Sequence, residues 1–215
     1  MTRILIVDDH EVVRDGVKRI FEEPPGTTAF GDASTFSEAL QLISEHDWDI
    51  VVLDLSLGSR SGLDLLKQLK QVRPRIPVLI LSMHSEEQYA RRAFKAGAAG
   101  YITKDSSRAE LSKAIDKVIR GGKYVSPGVA EKLVTRLERG AEAAPHDALS
   151  DREFQVLDLI ASGKTVGEIA ELLMLSDKTI STYRARMLAK MGMKRNAELT
   201  RYAIQNRLLG EDTIG

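Results

Sequence analysis

The first half of the sequence alternates between short apolar runs and segments with helical spacing, and this alternation constrains the fold more than any other feature. The apolar runs lie at residues 4–7, 27–30, 50–53, 78–81 and 100–102. Runs this short and continuous are typical of strands that are buried on both faces. The alternation therefore predicts a doubly wound α/β fold, with helices on both faces of a five-stranded parallel sheet.

The segments between these runs carry apolar residues three or four positions apart, as amphipathic helices do. Val12, Val13, Val17 and Ile20 have this spacing in the first segment. It recurs within residues 36–43, 63–69, 86–96 and 107–120. The alternation stops near Gly121 and Gly122, so we assign residues 1–122 to a first domain.

The second half has a different pattern. Residues 123–148 contain the turn sequence Ser126-Pro127-Gly128, one amphipathic stretch at 129–137 and an Ala-rich stretch at 140–145, which predict a linker with one helix. Four helical segments follow, at about 151–162, 166–173, 177–191 and 195–209. Ser150 and Glu153 have the spacing of a capping box at the first of them. Helices this short are unstable alone, so residues 149–215 are predicted to form an all-α, four-helix domain.

Composition excludes several classes of protein. Lys and Arg number 31 and Asp and Glu number 31, so a polybasic coat is excluded and any nucleic-acid site must be local. The absence of cysteine excludes disulfides and thiolate zinc sites and fits a reducing cytosol. No apolar run has the length of a membrane span, and the first run ends at two aspartates rather than continuing as a secretory signal. The histidines lack metal-ligand spacing, which favours surface or packing roles for His10, His46, His84 and His146.

Acidic residues follow two of the predicted strands. Asp8 and Asp9 come after the first apolar run, and Asp54 comes after the third. An isolated aspartate here could be an ordinary helix cap, but neighbouring parallel strands would bring all three carboxylates together, where like charges repel. A positive group must offset them. The candidates are Lys104, directly after the fifth run, and a hard divalent cation such as Mg²⁺.

This combination of residues suits phosphoryl transfer onto a carboxylate. There is neither a paired acid and base flanking a cleft nor a Ser–His pair, whereas Asp54 lies beside a cation site and an ammonium. Catalysis of phosphoryl transfer is mostly positioning and charge neutralisation, and the product on a carboxylate is a reactive acyl phosphate. Ser82, at the end of the fourth run, could donate a hydrogen bond to the phosphoryl group.

Four motifs make the first domain resemble a bacterial receiver domain, which is flavodoxin-like. They are Ile-Val-Asp8-Asp9-His, Val-Leu-Asp54-Leu, Ile-Leu-Ser82-Met and Ala-Gly-Ala-Ala-Gly-Tyr101-Ile-Thr-Lys104. The resemblance implies that Asp54 is the phosphoacceptor and Lys104 its lysine partner. It also implies a switch in which Ser82 and Tyr101 move inward on phosphorylation.

The same resemblance implies an Mg²⁺ site and a bacterial, cytoplasmic protein. Asp9, Asp54 and the backbone carbonyl of Ser56 would bind the ion directly, and Asp8 would act through water. The sequence departs from the receiver pattern at Gly58, where the family usually has proline four residues after the acceptor. The departure predicts a looser loop at this position.

Residues 149–215 resemble a LuxR-type helix-turn-helix domain. The resemblance rests on Leu-Ser-Asp-Arg-Glu153, on Glu168-Ile-Ala-Glu-Leu-Leu and on Leu-Ser176-Asp-Lys178-Thr179-Ile180. Together the two halves resemble the NarL/FixJ class of response regulators. The string Lys-Thr-Ile-Ser-Thr-Tyr-Arg is similar to regulators of the BvgA and GacA type.

The third helical segment is the candidate DNA-contacting helix. Residues 178–195 hold six basic residues and no acidic residue. Ile180, Met187, Leu188 and Met191 recur at helical spacing and are predicted to pack, so the opposite side could enter a major groove. There the base edges would be met by Ser181, Thr182, Ala185 and Arg186, beside Thr179 in the first turn. The phosphates would be met by Lys178, Arg184, Lys190, Lys194 and Arg195.

The favoured reading is a two-component response regulator that is not itself an enzyme. A sensor histidine kinase would phosphorylate Asp54, and the chain would then control transcription by binding specific DNA as a phosphorylation-enhanced dimer, without a membrane partner. One alternative is a regulator that binds DNA independently of phosphorylation. Another is an aspartyl-phosphate phosphatase, which would need a second carboxylate where Ser56 stands.

Overall fold

The computed structural model describes residues 1–21, 26–58, 60–83, 87–138, 144–206 and 208–209. The chain divides into two compact units, Met1–Glu131 and Lys132–Gly215. No helix in the described ranges is long and apolar enough to cross a bilayer.

The first unit follows the predicted alternation of strands and helices. Its strands are β1 (Thr2–Val7), β2 (Thr28–Ala33), β3 (Ile50–Leu53), β4 (Ser56–Leu57), β5 (Arg60–Ser61), β6 (Val78–Ser82), β7 (Gly100–Thr103) and β8 (Tyr124–Val125). Its helices are α1 (Glu11–Ile20), α2 (Phe36–Glu45), α3 (Gly62–Val72), α4 (Glu87–Lys95) and α5 (Arg108–Ile119).

The main sheet has the strand order β2-β1-β3-β6-β7-β8, and every pairing in it is parallel. This order reverses direction beside β1, and the crevice of a doubly wound sheet lies at the carboxyl ends of the strands on either side of such a point. All four residues of β3 are buried, as expected for a strand covered on both faces. The doubly wound α/β prediction is confirmed.

Two details of the first unit were not evident from the sequence pattern. Among the described residues the sheet has six strands rather than five, because β8 pairs with β7 within the segment predicted as linker. A two-residue strand followed by Ser126 and Pro127 carries no periodicity, so the sequence pattern could not reveal it. Val12 has helical spacing but its side chain is 84% exposed, so it does not belong to the buried face of α1.

The second unit is helical throughout its described part. Helix α6 (Pro127–Glu138) contains the division between the units, and a 3₁₀ helix at Pro145–Ala148 precedes α7 (Asp151–Ala161), α8 (Val166–Leu172), α9 (Asp177–Met191) and α10 (Asn196–Gln205). The last four match the predicted segments. Residues 139–143 of the predicted linker and residues 207 and 210–215 of the predicted last domain lie outside the described residues, as does His84.

Capping residues fix where these helices begin. The Ser150 hydroxyl accepts a hydrogen bond from Glu153 N at 3.3 Å, and Glu153 Oε2 accepts one from Ser150 N at 2.7 Å, which confirms the capping box. Ser176 caps α9 in the predicted way, by accepting from Thr179 N at 3.2 Å. The four helices pack on buried apolar residues that include Phe154, Ile180 and Leu199. The apolar side of α9 therefore packs against the other helices and fixes the position of this helix in the bundle.

Candidate functional site

The carboxylates of Asp8 and Asp54 meet because their strands are neighbours in register. Val7 pairs with Leu53 at the carboxyl ends of β1 and β3, and Asp54 N donates to Val7 O at 2.9 Å. Asp8 and Asp54, which directly follow these paired residues, therefore lie beside each other. Both are 2% exposed. The predicted convergence of the acidic residues is confirmed.

One ammonium bridges these two carboxylates. Lys104 Nζ lies 2.7 Å from Asp8 Oδ2 and 2.9 Å from Asp54 Oδ2, and its side chain is only 9% exposed. Lys104 N donates to Ser82 O at 2.8 Å, which fixes the start of the loop after β7 against the end of β6. The lysine that the sequence placed after the fifth run is thus the positive group of the acidic cluster.

The environment makes Asp54 unusual for a carboxylic acid. Burial and the charge of Asp8 act against the lowering effect of Lys104, and together they raise the pKa of Asp54 to about 6. Burial also disfavours the charged form of Lys104, but the two carboxylates outweigh it and its pKa is raised. One ammonium therefore does not fully compensate two buried acids.

Asp9 and His10 complete the cluster on its exposed side. Asp8, Asp9, His10 and Asp54 each offer a ligand atom, and these four atoms lie within 4.8 Å of one another. His10 Nδ1 lies 2.7 Å from Asp9 Oδ1. The predicted surface role of His10 agrees with its 67% exposure, but the sequence did not predict that its ring lies against the acidic cluster. The predicted packing role holds for His146, which is 1% exposed and packs beside Phe154 and Tyr202.

The cluster has the donor chemistry for a divalent cation. Mg²⁺ binds carboxylate and carbonyl oxygens, and three carboxylates converge here against one ammonium. Their excess negative charge is the feature that a cation would relieve. Asp8, Asp9 and Asp54 therefore fit the predicted ion.

Two glycines shape the loop behind Asp54. Gly58 has φ +50°, between the antiparallel strands β4 and β5, and proline cannot adopt this conformation because its ring holds φ near −65°. A Cβ at Gly62 would lie 2.0 Å from the carbonyl oxygen of Asp54, so only glycine lets the start of α3 approach the acceptor this closely. Gly58 thus belongs to a paired hairpin. The close approach of Gly62 to Asp54 could not be predicted from the sequence.

The two predicted switch residues are both fully buried. Ser82 and Tyr101 are each 0% exposed. They lie on neighbouring strands, where Ile80 pairs with Tyr101 and Ser82 with Thr103. The aromatic ring of Tyr101 already occupies the interior here, where burial of its apolar surface is favourable, and the movement on phosphorylation stays a prediction.

Helix α9 presents a polar face to solvent. Its buried residues are Ile180, Met187, Leu188 and Met191, as the spacing predicted. The predicted base-edge residues are all exposed, namely Ser181, Thr182, Ala185 and Arg186. Lys178 is exposed on the same helix, whereas Thr179 is half-buried and its hydroxyl lies 2.8 Å from that of Ser176 at the start of the helix.

Two of the predicted phosphate contacts are engaged within the domain. Lys190 Nζ lies 2.6 Å from Glu153 Oε2, whose side chain is buried in α7. Arg184 Nε donates to Asn196 Oδ1 at 2.5 Å. Lys194 and Arg195 are exposed in the turn before α10. The charges of this segment therefore differ in how freely they can reach DNA, which charge counting could not reveal.

Comparison with known proteins assigns each unit to a family. The profile of the response regulator receiver domain matches residues 4–116, and that of the LuxR family of bacterial regulatory proteins matches residues 147–203. Response regulator UvrY of Escherichia coli (strain K12) is 33% identical over 215 residues, which cover 100% of this chain and 99% of UvrY. Response regulator GacA of Pseudomonas aeruginosa is 33% identical over 210 residues, 97% of this chain and 98% of GacA.

The same assignment follows from solved structures. A structure of the RcsB response regulator of Salmonella typhimurium matches with a TM-score of 0.60 and 25% identity, over 94% of this chain and 97% of that one. Receiver and LuxR-type units are thus both matched within this one chain, and full-length response regulators match it in sequence and in fold. The chain belongs to the two-component response regulators of the NarL/FixJ class, in which a receiver domain is joined to a LuxR-type DNA-binding domain that regulates transcription.

Proposed function

We propose that Asp54 accepts a phosphoryl group from a sensor histidine kinase and that this modification promotes DNA binding by a homodimer. The observation that carries the proposal is the position of Lys104 Nζ, 2.9 Å from Asp54 Oδ2 and 2.7 Å from Asp8 Oδ2. An ammonium held at a buried carboxylate can neutralise charge on an incoming phosphoryl group. Asp54 is one of the two buried carboxylates that this ammonium contacts.

The transfer itself needs little covalent chemistry from the protein. A carboxylate oxygen of Asp54 attacks the phosphorus of the kinase phosphohistidine, a P–O bond forms, and the P–N bond breaks. The electron pair of that bond remains on the imidazole of the kinase. The ionised form of Asp54 is the nucleophile, and a pKa of about 6 leaves that form dominant at neutral pH.

Mg²⁺, when bound, would supply the remaining charge neutralisation. Asp9, Asp54 and the backbone carbonyl of Ser56 are proposed as its protein ligands, with Asp8 acting through water. Lys104 holds Asp8 and Asp54 together, so the acidic side chains are positioned before the ion arrives.

Ser82 and Tyr101 are proposed to carry the signal away from Asp54. The carbonyl oxygen of Ser82 accepts a hydrogen bond from Lys104 N, so a shift of the loop after β6 would move the loop after β7, and the reverse. The hydroxyl of Ser82 would bond the phosphoryl group. Because Tyr101 is already inside, the change on phosphorylation would stabilise this inward position rather than create it.

DNA binding is proposed to use the exposed side of α9. Ser181, Thr182, Ala185 and Arg186 would face base edges, and Lys178, Lys194 and Arg195 would face phosphates, with lesser roles for Thr179, Arg184 and Lys190. The solved relatives support a dimeric complex, since one structure contains two RcsB dimers bound to two parallel DNAs. A protein that binds the chromosome of a bacterium would act in the cytoplasm.

The chain is proposed to act as a phosphoacceptor and DNA binder rather than as an enzyme. A phosphatase of similar sheet order would need a second carboxylate two residues after the acceptor, where Ser56 stands. A regulator independent of phosphorylation would have no need of three converging carboxylates and a buried lysine.

The test is labelling of the full chain by acetyl phosphate with Mg²⁺. Intact-mass measurement should detect one phosphoryl group on the wild-type chain and none on Asp54→Asn. The matched control is Asp47→Asn, because Asp47 is 85% exposed and lies before β3, at the opposite edge of the sheet from Asp54. Labelling of Asp54→Asn at another residue would overturn the assignment of the acceptor.

A second arm tests the link to DNA. Phosphorylated wild-type chain should dimerise and bind its promoter DNA more tightly than unphosphorylated chain, in sedimentation and in mobility-shift titrations. Equal affinity with and without the phosphoryl group would instead support the phosphorylation-independent alternative.

A further inference from the structure

His10 turns its imidazole toward the acidic cluster instead of capping the helix that it precedes. It is the N-cap residue of α1, yet its side chain makes no capping hydrogen bond. Its Nδ1 lies 2.7 Å from Asp9 Oδ1 and 3.2 Å from Asp8 Oδ1, and its backbone N donates to Asp8 Oδ1 at 2.9 Å. The imidazole is therefore positioned by the same two acidic residues that border the cation site.

The positions of the four donor atoms fit a single small cation. Ligand atoms at about 2.1 Å from one ion lie roughly 3–4 Å apart. The ligand atoms of Asp8, Asp9, His10 and Asp54 all lie within 4.8 Å of one another, so small side-chain movements would bring them into that range. Asp8 and Asp54 are held by Lys104, whereas Asp9 and His10 pair with each other on the exposed side of the cluster.

The chemistry of the fourth donor differs from that of the other three. Carboxylate oxygens suit Mg²⁺, which binds imidazole poorly. Imidazole nitrogen suits divalent ions of the first transition row, and affinity for a mixed nitrogen and oxygen site rises from Mn²⁺ through Co²⁺ and Ni²⁺. A site with an available imidazole therefore gains affinity for transition ions without gaining any for Mg²⁺.

We propose that His10 is an additional metal ligand of the phosphoacceptor site and gives it a preference for first-row transition ions over Mg²⁺. The inference rests on the proposed function, because it assumes that the carboxylates of that site bind a divalent cation. It assigns to His10 a role in choosing the ion. Occupancy of the acceptor site would then depend on the transition-metal supply of the cell as well as on Mg²⁺.

A simpler role for His10 is a hydrogen bond to Asp9 at the surface, since the imidazole is 67% exposed. The two roles differ in what removal of the ring does to metal binding. A surface hydrogen bond would affect all ions alike, through the position of Asp9. A ligand would affect only the ions that bind nitrogen.

The experiment is calorimetric titration of the full chain, prepared without a polyhistidine tag, with Ni²⁺ and separately with Mg²⁺. We expect His10→Ala to raise the Kd for Ni²⁺ by about ten-fold or more, the effect typical of disturbing a metal site, and to change the Kd for Mg²⁺ less than about two-fold. His46→Ala is the matched control, because His46 is exposed beside Trp48 before β3. It should leave both constants unchanged.

A spectroscopic arm reports the ligand itself. The visible absorption of Co²⁺ depends on the atoms that coordinate it, so the spectrum of the wild-type complex should change in His10→Ala and stay the same in His46→Ala. Circular dichroism of both variants should match the wild-type chain, which excludes unfolding as the cause.

The outcomes separate this inference from the proposed function. If Mg²⁺ binds and the Kd for Ni²⁺ is the same in the wild-type chain and in His10→Ala, the role of His10 is overturned while the acceptor site stands. If His10→Ala weakens both ions equally, His10 positions Asp9 and is not a ligand, which also overturns it. If neither ion binds the wild-type chain, the cation site of the proposed function fails as well.

Discussion

Each unit of the molecule contains a lysine beside a buried carboxylate, and the two arrangements have opposite consequences. In the receiver, Lys104 serves two acids, Asp8 and Asp54, and the pKa of Asp54 is raised to about 6. In the DNA-binding domain, Lys190 serves Glu153 alone. Burial acts to raise the pKa of Glu153, but hydrogen bonds from Lys190 and Ser150 outweigh it, so that pKa is lowered.

The difference shows that the number of positive partners per buried acid decides its role. Glu153 has one ammonium and one backbone N–H, which satisfy its charge and leave it as part of the fold. The acids of the receiver share one ammonium and retain excess negative charge, which destabilises the site and favours binding of a cation. Asp54 is therefore a buried carboxylate that the fold leaves incompletely compensated, which suits the proposed role of phosphoacceptor.

The largest expected effect is on the response of DNA binding to phosphorylation, which should need Lys104 but not Lys190. Lys104→Met should remove the increase in DNA affinity that phosphorylation produces, because no ammonium would link the phosphoryl group to the loop after β7. We expect the increase to fall from about ten-fold or more to near unity, in mobility-shift titrations with Mg²⁺ present. Lys190→Met should keep the ratio between phosphorylated and unphosphorylated affinity, and a lost ratio there would contradict this expectation.

The second effect concerns stability, and here we expect the larger change from substitution of Lys190. Lys190→Met leaves the buried carboxylate of Glu153 without its ion partner, which we expect to lower the free energy of unfolding of the second unit by about 2 kcal/mol. This is below the usual range for buried pairs because Lys190 is 41% exposed. Scanning calorimetry of the full chain measures it, with exposed Lys178→Met as the control expected to change stability by less than about 0.5 kcal/mol.

These two lysines also mark the limit of what the sequence could predict. Lys104 was assigned correctly because it follows a buried strand, and the carboxyl ends of parallel strands lie together wherever a doubly wound fold forms. Lys190 was assigned to DNA phosphates because it lies in a run of basic residues. Its partner Glu153 was recognised only as a helix cap, since nothing in the sequence indicates that the first and third helices of the bundle bring these residues together.

The same reasoning explains the other differences. Strand β8 has two residues and no periodicity, so it can be recognised only from its pairing with β7 in the structure. The place of His10 beside the acidic cluster could not be predicted from histidine spacing, because it is a single histidine that follows two aspartates rather than one of a set of histidines. Elements with long periodic patterns were predicted well, whereas contacts between elements needed the structure.

The third effect tests the raised pKa of Asp54. Its pKa in the folded chain, about 6, exceeds the ordinary 3.8, so the folded state binds more protons between these values and the receiver gains stability as pH falls through about 6. Glu153 has a lowered pKa, so its contribution is present above about pH 4.5 and is lost only in more acidic solution. Between pH 7.5 and 5 only the receiver should become more stable.

Asp54→Asn checks this assignment. In EDTA at pH 7.5 the variant should be more stable than the wild-type chain by about 1–2 kcal/mol, because it removes an uncompensated charge, and its stability should no longer rise as pH falls to 5. The fluorescence of Trp48, the only tryptophan in the sequence, follows unfolding of the receiver separately from the second unit. A wild-type receiver that loses stability over this pH range would contradict the raised pKa.

The smallest effect concerns how the charges of α9 act on DNA. Each phosphate that a protein neutralises contributes a slope of about −0.9 to the dependence of log K on log salt. Lys178 is exposed and the structure records no acidic partner for it among the described residues, so Lys178→Ala should flatten the slope by about 2 in a dimer, one unit per subunit. Lys190 is already neutralised by Glu153 at 2.6 Å, so Lys190→Ala should change the slope by less than about 0.5.

Glu153→Gln sharpens the test, because it frees the Lys190 ammonium and should make the slope steeper if that ammonium then reaches a phosphate. Salt titrations of binding to specific and scrambled duplexes measure all three variants. A flattening by Lys190→Ala equal to that by Lys178→Ala would mean that DNA displaces Glu153 from Lys190, and would contradict a purely structural role for this pair.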